Sequence, residues 1–149
     1  MTTNGHVVRL QFCSAFEMLD FVQVVSDHLC RRIGFDDDAM HWVGVAVRES
    51  VINAIKHGNQ NDQEKMVSVE FASSQAPGEL VVTIRDQGQG FDPDTLADPL
   101  APENMLKSSG RGIFLMRNFM DDVSLRRAPE GGMEVRMVKK VAPAETSSS

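Results

Sequence analysis

Glu49-Ser50-Val51-Ile52-Asn53-Ala54-Ile55-Lys56-His57 is the stretch on which the reading of this chain turns. It continues an apolar series, Ala39, Val43, Ala46, Val47, Val51 and Ala54, whose spacing predicts a helix running to Gly58-Asn59. Asp36 to Asp38 give that helix an acidic N-terminus. Residues four apart on a helix share a face, so Glu49, Asn53 and His57 line up, with Lys56 beside them. The side-chain oxygen of Asn53 is a hard ligand of the kind Mg²⁺ accepts when phosphates and water complete its shell. Glu49, one turn earlier, suits orienting and deprotonating a hydroxyl or water that attacks a terminal phosphate, and Lys56 suits neutralising phosphate charge. The same spacing also describes an ordinary solvated helix face, and the helix alone does not choose between the two.

Two glycine loops further on narrow the choice. Leu80, Val82 and Ile84 alternate as a strand, which runs into Asp86-Gln87-Gly88-Gln89-Gly90-Phe91. A carboxylate at Asp86 accepts hydrogen bonds from an exocyclic amine such as that of adenine, while Gly88 and Gly90 let backbone approach a flat base. Taken alone, Asp-x-Gly is equally an ordinary turn. Ser109-Gly110-Arg111-Gly112-Ile113 then opens a third helix carrying Met116 and Met120 on the side of Ile113. Free N–H groups at a helix start, unobstructed by Cβ atoms, form an anion site for phosphates, although Ser108 and Ser109 also read simply as N-caps. An acid and amide one turn apart, followed by two Gly-x-Gly loops in this order, suit gripping Mg-ATP.

The rest of the chain frames these loops. His6 to Phe12 alternates as a half-buried strand with Val8, Leu10 and Phe12 on one face. Ser14 and Glu17 read as a capping box for a helix that ends at Arg31, Arg32 and Gly34. Val67, Val69 and Phe71 predict a strand joined to the next by a hairpin at Gln75-Ala76-Pro77-Gly78. Val123-Leu125 and Met133-Val135-Met137 predict two more strands around a turn at Pro129 to Gly132. Between Phe91 and Lys107, Pro93, Pro99 and Pro102 interrupt a long aperiodic connection of the kind that usually has a function. The order β-α-α-β-β-(lid)-α-β-β makes this an α/β (α+β) two-layer sandwich, with a mixed, mostly antiparallel sheet and helices on one face. One domain covers residues 1–141, and the small polar tail 142–149 reads as disordered.

The bulk composition bounds the function. The length of 149 residues suits one domain, and the 42% hydrophobic and 24% charged contents are ordinary globular values. A net charge of −6 argues against nucleic acid as a direct partner. No apolar run approaches the ~18 residues of a membrane helix, so the protein reads as soluble and cytoplasmic, with no membrane partner. Cys13 and Cys30 read as buried small hydrophobes, and His6, His28 and His41 lack metal-ligand spacing. Trp42, Phe12, Phe16 and Phe21 read as core or interface packing, the methionines as core filler, and Arg126-Arg127 and Lys139-Lys140 as solvated strand ends.

Glu49-x-x-x-Asn53-Ala54-x-x-His57-Gly58, Asp86-x-Gly88-x-Gly90-Phe91 and Gly110-x-Gly112-Ile113-x-Leu115-Met116 together resemble the boxes of the GHKL ATP-binding superfamily. Within it, the chain looks most like the small anti-sigma-factor serine kinases of the RsbW and SpoIIAB type, over residues 6 to 140. Asn118-Phe119-Met120-Asp121 is also typical of that group. The resemblance implies the Bergerat ATP-binding fold, with Glu49 as general base, Asn53 as Mg²⁺ ligand and Asp86 reading the adenine amine. It implies that Gly88 and Gly90 line the base, that Gly110 and Gly112 cradle phosphates, and that residues 92 to 109 form the ATP lid. It further implies a homodimer that phosphorylates a serine on a STAS-domain anti-anti-sigma protein and sequesters a sigma factor. The catalytic domain of a histidine kinase fits less well, because that group usually has Asn where Glu49 stands. A nucleotide-dependent binding module with little or no catalysis is the alternative. One position departs from the pattern: Met133 follows Gly131-Gly132 where the family often carries Thr, which removes a hydroxyl worth ~1 kcal/mol.

Overall fold

Alternation of apolar and polar residues produces five strands, β1 His6–Cys13, β2 Met66–Gln75, β3 Gly78–Arg85, β4 Asp122–Arg127 and β5 Met133–Lys140. They appear in a computed structural model that describes residues 5–75, 77–88, 116–129 and 131–141. The strands form one sheet in the order β1-β2-β3-β5-β4. Every described pairing is antiparallel, so the mixed, mostly antiparallel sheet expected from sequence is antiparallel throughout these residues. Register puts Phe12 opposite Val67, Phe71 opposite Val82 and Ile84 opposite Val135, which gathers the apolar set on one face.

Two helices cover that face. The first, α1, spans Leu19–Ile33 and buries Leu19, Val22, Leu29, Cys30 and Ile33 at three- and four-residue spacing. It ends where Gly34 turns left-handed at φ 100°, with its N–H bonded to the Cys30 carbonyl at 3.0 Å. The second, α2, spans Asp37–Asn53; the Asp36 carboxylate caps it by accepting from the Ala39 N–H at 2.8 Å. Gly44 lets the two helices approach closely, and Gln23 Nε2 donates to the Gly44 carbonyl at 3.1 Å. Val43, Val47 and Val51 join Val69, Phe71, Leu80, Val82 and Ile84 in a single core.

A helical stretch at residues 116–119 is fastened to this core. The Phe119 ring stacks on Trp42 at 3.7 Å between centroids, and Ser50 Oγ donates to the sulfurs of Met116 and Met137. Lys139 Nζ takes the Phe119 carbonyl at 2.9 Å. Trp42 is thus a packing residue, as its surroundings in the sequence suggested, and Met116, Met120 and Met137 fill core.

Four local readings gain detail or change. Ser14 does not cap a helix: its hydroxyl donates to the Lys65 carbonyl at 2.8 Å and accepts from Asn59 Nδ2 at 2.9 Å, and a 3₁₀ turn at Phe16–Met18 leads into α1 instead. Phe12 is core, whereas Phe16 and Phe21 stand exposed. Cys30 is buried, which pushes its thiol up to about 11, but Cys13 is exposed. Arg126 is a solvated strand end as expected, and its guanidinium is in addition paired with Glu134 at 2.7 Å. Among the described residues, no helix is long and apolar enough to cross a membrane.

Candidate functional site

The geometry of the site begins with how α2 ends. Past Asn53 the chain widens into a π-helical turn at Ala54–Gly58, closed by the Asn59 N–H on the Ala54 carbonyl at 2.7 Å. Glu49 and Asn53 lie inside α2 on one face, both half-buried. His57 falls within the wider turn, whose extra residue displaces it from the α-helical row, and both it and Lys56 are exposed. The sequence expectation that Glu49, Asn53 and His57 align therefore holds for the first pair.

The π turn delivers Gly58 against Asp86. Asp86 is the first residue after β3 and is only 7% exposed, unusual for a carboxylate with no cation hydrogen-bonded to it among the described residues. Its Oδ1 accepts from the backbone N–H of Gly88 and of Met133, each at 3.0 Å. Its own N–H donates to the Met133 carbonyl at 3.1 Å. Burial pushes the Asp86 carboxyl above its ordinary value, while the two N–H bonds and the Lys65 charge pull the other way. Both bonds fall on Oδ1. Among the described residues no donor reaches Oδ2, so one acceptor oxygen remains for something else.

Absent side chains make this burial possible. A Cβ on Gly58 would overlap the Asp86 carboxylate, and one on Gly88 would overlap the Gly58 carbonyl oxygen. Gly132, at φ +85°, closes the third side by lying against the Asp86 carbonyl. The end of the α2 segment, the loop after β3 and the β4–β5 turn thus meet backbone to backbone around one carboxylate. At the place where Met133 lacks a hydroxyl, its backbone N–H and carbonyl hold Asp86.

Asn59, just past the π turn, is a further part of the site that the sequence reading passed over. It is fully buried; its Oδ1 accepts from the Gln87 N–H at 2.7 Å, and its Nδ2 donates to Ser14 Oγ at 2.9 Å and the Met66 carbonyl at 3.0 Å. An Asn after a helix-ending Gly reads as a stop signal, and nothing local marks it as a hub. Gly90, Ser109, Gly110, Arg111, Gly112 and Ile113, like the segment 92–109, lie outside the described residues. Among the described residues no three His, Cys, Asp or Glu side chains gather as a metal cluster, so a cation near Asn53 would need oxygens from its own ligand.

An antiparallel sheet backed on one face by two helices, with a buried carboxylate packed among glycines past the end of the helix that carries an acid and an amide, defines a two-layer α/β sandwich. The chain belongs to the histidine kinase-like ATPase domain family, whose profile matches residues 17–139. It is 33% identical to the anti-sigma F factor of Oceanobacillus iheyensis, over 92% of this chain and 94% of that one. It is 30% identical to the anti-sigma F factor of Bacillus subtilis, over 93% and 94%. It is 26% identical to the serine-protein kinase RsbW of Listeria monocytogenes, over 95% and 91%.

Proposed function

We propose that this chain is an ATP-dependent serine protein kinase and anti-sigma factor. It phosphorylates a STAS-domain anti-anti-sigma partner in the cytoplasm, sequesters a sigma factor and works as a homodimer. The observation that carries this reading is Asp86: one carboxylate oxygen is fixed by two backbone N–H groups, the other is unclaimed by described donors, and the group sits at the end of the helix bearing Glu49 and Asn53. A buried acceptor with a glycine-cleared approach fits the amine edge of adenine.

Asn53 would lend its side-chain oxygen to Mg²⁺, and Lys56 and His57, exposed on the π turn, would take the phosphates, with Lys56 neutralising their charge. Gly88 and Gly90 line the base; Ser109, Gly110, Arg111, Gly112 and Ile113 hold the phosphates at the start of the third helix. When bound, Mg-ATP supplies the transferable phosphoryl group and the charge screening its transfer needs. Glu49 would accept the proton of the partner's serine Oγ as that oxygen bonds to the terminal phosphorus, while the bond from that phosphorus to the bridging oxygen breaks and ADP leaves. A histidine acceptor would not need such a base, which is why the serine reading is preferred.

The test is capture of partners from the native cell with and without ATP–Mg²⁺, followed by phosphosite mapping, with Glu49→Ala in parallel. Wild type should place phosphate on one serine of a captured protein. Glu49→Ala should bind ATP within about threefold of wild type and transfer roughly 10²–10⁴-fold more slowly. Nucleotide-dependent capture with no phosphoserine at any time would favour the pure binding module instead.

A further inference from the structure

The polar corner behind the Asp86 loop is closed on itself. Asn59 Oδ1 holds the Gln87 N–H at 2.7 Å, and Gln87 answers with its side-chain oxygen on the Met66 N–H. Asn59 Nδ2 binds the Met66 carbonyl and Ser14 Oγ, and Ser14 in turn donates both its N–H and its hydroxyl to Lys65. Asn59 is also the residue whose N–H closes the π turn and whose carbonyl receives the Asp62 N–H at 3.0 Å. Each of its polar groups is therefore spent, in full burial, on a different piece of backbone or on Ser14.

Of the Asn59 bonds, only one reaches the loop that carries the candidate base-reading group, which Met66 N–H also ties through the Gln87 side chain. Gln87 lies between Asp86 and Gly88, and its N–H is the one held by the Asn59 side chain. Gly58, immediately before Asn59, lies against the Asp86 carboxylate itself. The pair Gly58-Asn59 thus couples the end of the α2 segment to the Asp86 loop twice, by contact and by hydrogen bond.

We infer that Asn59 is a positioning residue for base recognition: its side-chain amide fixes the Asp86–Gly88 loop on the end of the α2 segment, and so fixes where Asp86 Oδ2 meets the exocyclic amine of a purine. It touches no ligand and acts through Gln87 and Asp86. The inference rests on the reading of Asp86 as the adenine-selecting group. It adds that selectivity for an amine over a carbonyl at that edge depends on Asn59.

The experiment compares binding of ATP and of inosine triphosphate, which carries a carbonyl in place of the amine, by calorimetry. Asn59→Ala should shrink the preference for ATP about tenfold. Ser14→Ala, which loosens the same corner without touching the Gln87 link, should leave the preference within about twofold. A wild type that binds both nucleotides alike overturns the base reading of Asp86 and this inference with it. A selective wild type whose preference survives Asn59→Ala, or is lost equally in Ser14→Ala, overturns the role of Asn59 alone. Should Asn59→Ala fail to fold, amide exchange in wild type decides: the Gln87 N–H should be protected like those of β3, and free exchange there overturns the positioning role.

Discussion

The two halves of the candidate site are built on opposite principles. Around Asp86 nearly everything is backbone: Gly58, Gly88, Gly132 and Met133 meet at one buried carboxylate, and Asn59 ties the loop from behind. Along α2 and the π turn after it, Glu49 and Asn53 are half-buried, Lys56 and His57 are exposed, and no side-chain hydrogen bond to these four is found among the described residues. The first half is preorganised, and its donors and acceptors are set before any ligand arrives. The second offers groups that a metal and phosphates would have to orient. The contrast suits a site that selects its base by shape and leaves the reacting end to be assembled on binding.

Adding a single methyl should break the preorganised half most completely. At Gly58 a Cβ lands on the Asp86 carboxylate, which is hemmed in by Gly132 and Met133 and cannot retreat. Gly58→Ala is expected to cost about 3 kcal/mol of stability and to abolish detectable ATP binding. Gly34→Ala makes the instructive control: its Cβ would meet nothing, so only the strain of φ 100° is felt, about 1 kcal/mol, with ATP affinity kept. Denaturant melts and calorimetry on both variants measure the difference. Equal losses would mean that the junction around Asp86 is no tighter than a helix end.

The next effect separates binding from stability. Burial raises the Asp86 carboxyl above its ordinary 3.8, so the folded state holds its proton more firmly than the unfolded chain does. The group therefore lowers stability as pH rises from 3.8 through its folded value, and costs nothing below that window. In Asp86→Asn the amide oxygen can keep the Gly88 and Met133 N–H bonds, while the amide nitrogen turns a donor toward the amine of adenine. The expectation is a loss of ATP affinity of about 100-fold, with stability at neutral pH equal to or above wild type and no advantage below pH 3.8. Thermal melts across pH with calorimetry read both. An undiminished affinity would remove Asp86 from base recognition.

Much of this architecture was legible in the chain, for physical reasons that also explain what was not. Strand faces could be read because Val67-Val69-Phe71 and Leu80-Val82-Ile84 alternate against a single buried side. The break between α1 and α2 could be read because Gly34 needs its left-handed turn and Asp36 caps locally. Ser14 has the same local look as a cap, yet its partners are Lys65 and Asn59, brought near by the pairing of Cys13 with Met66. Gly58 and Asn59 were legible as a helix end, and Gly58 as part of the first motif, but not their contacts with Asp86 and Gln87, which lie across the sheet order and not along the chain. Asp86 itself stood out because it closes a strand into a glycine loop, although its bond to Met133 depends on the β3–β5 pairing.

The smallest effect concerns the outer face of the same strand end. Glu134 on β5 lies opposite Arg85 on β3 and Arg126 on β4, and each guanidinium Nε holds a different carboxylate oxygen. Burial works to raise the Glu134 carboxyl, but the bonds from Arg126 and Arg85 outweigh it and hold the group below its ordinary 4.5. A folded-state depression stabilises above pH 4.5 and is lost as pH falls through the folded value. Glu134→Gln keeps the shape and loses the charge, yet both arginines are about half exposed and can turn to water. The melting temperature should drop by only about 3 °C at neutral pH, and wild type and variant should converge in acid. ATP affinity should stay within about twofold, because Asp86 is held by Gly58, Gly88, Met133 and Asn59 through Gln87, not by the arginine clamp beside it. A large affinity loss in Glu134→Gln would show that the preorganised half depends on side-chain charge from the open face, and would erase the contrast with α2.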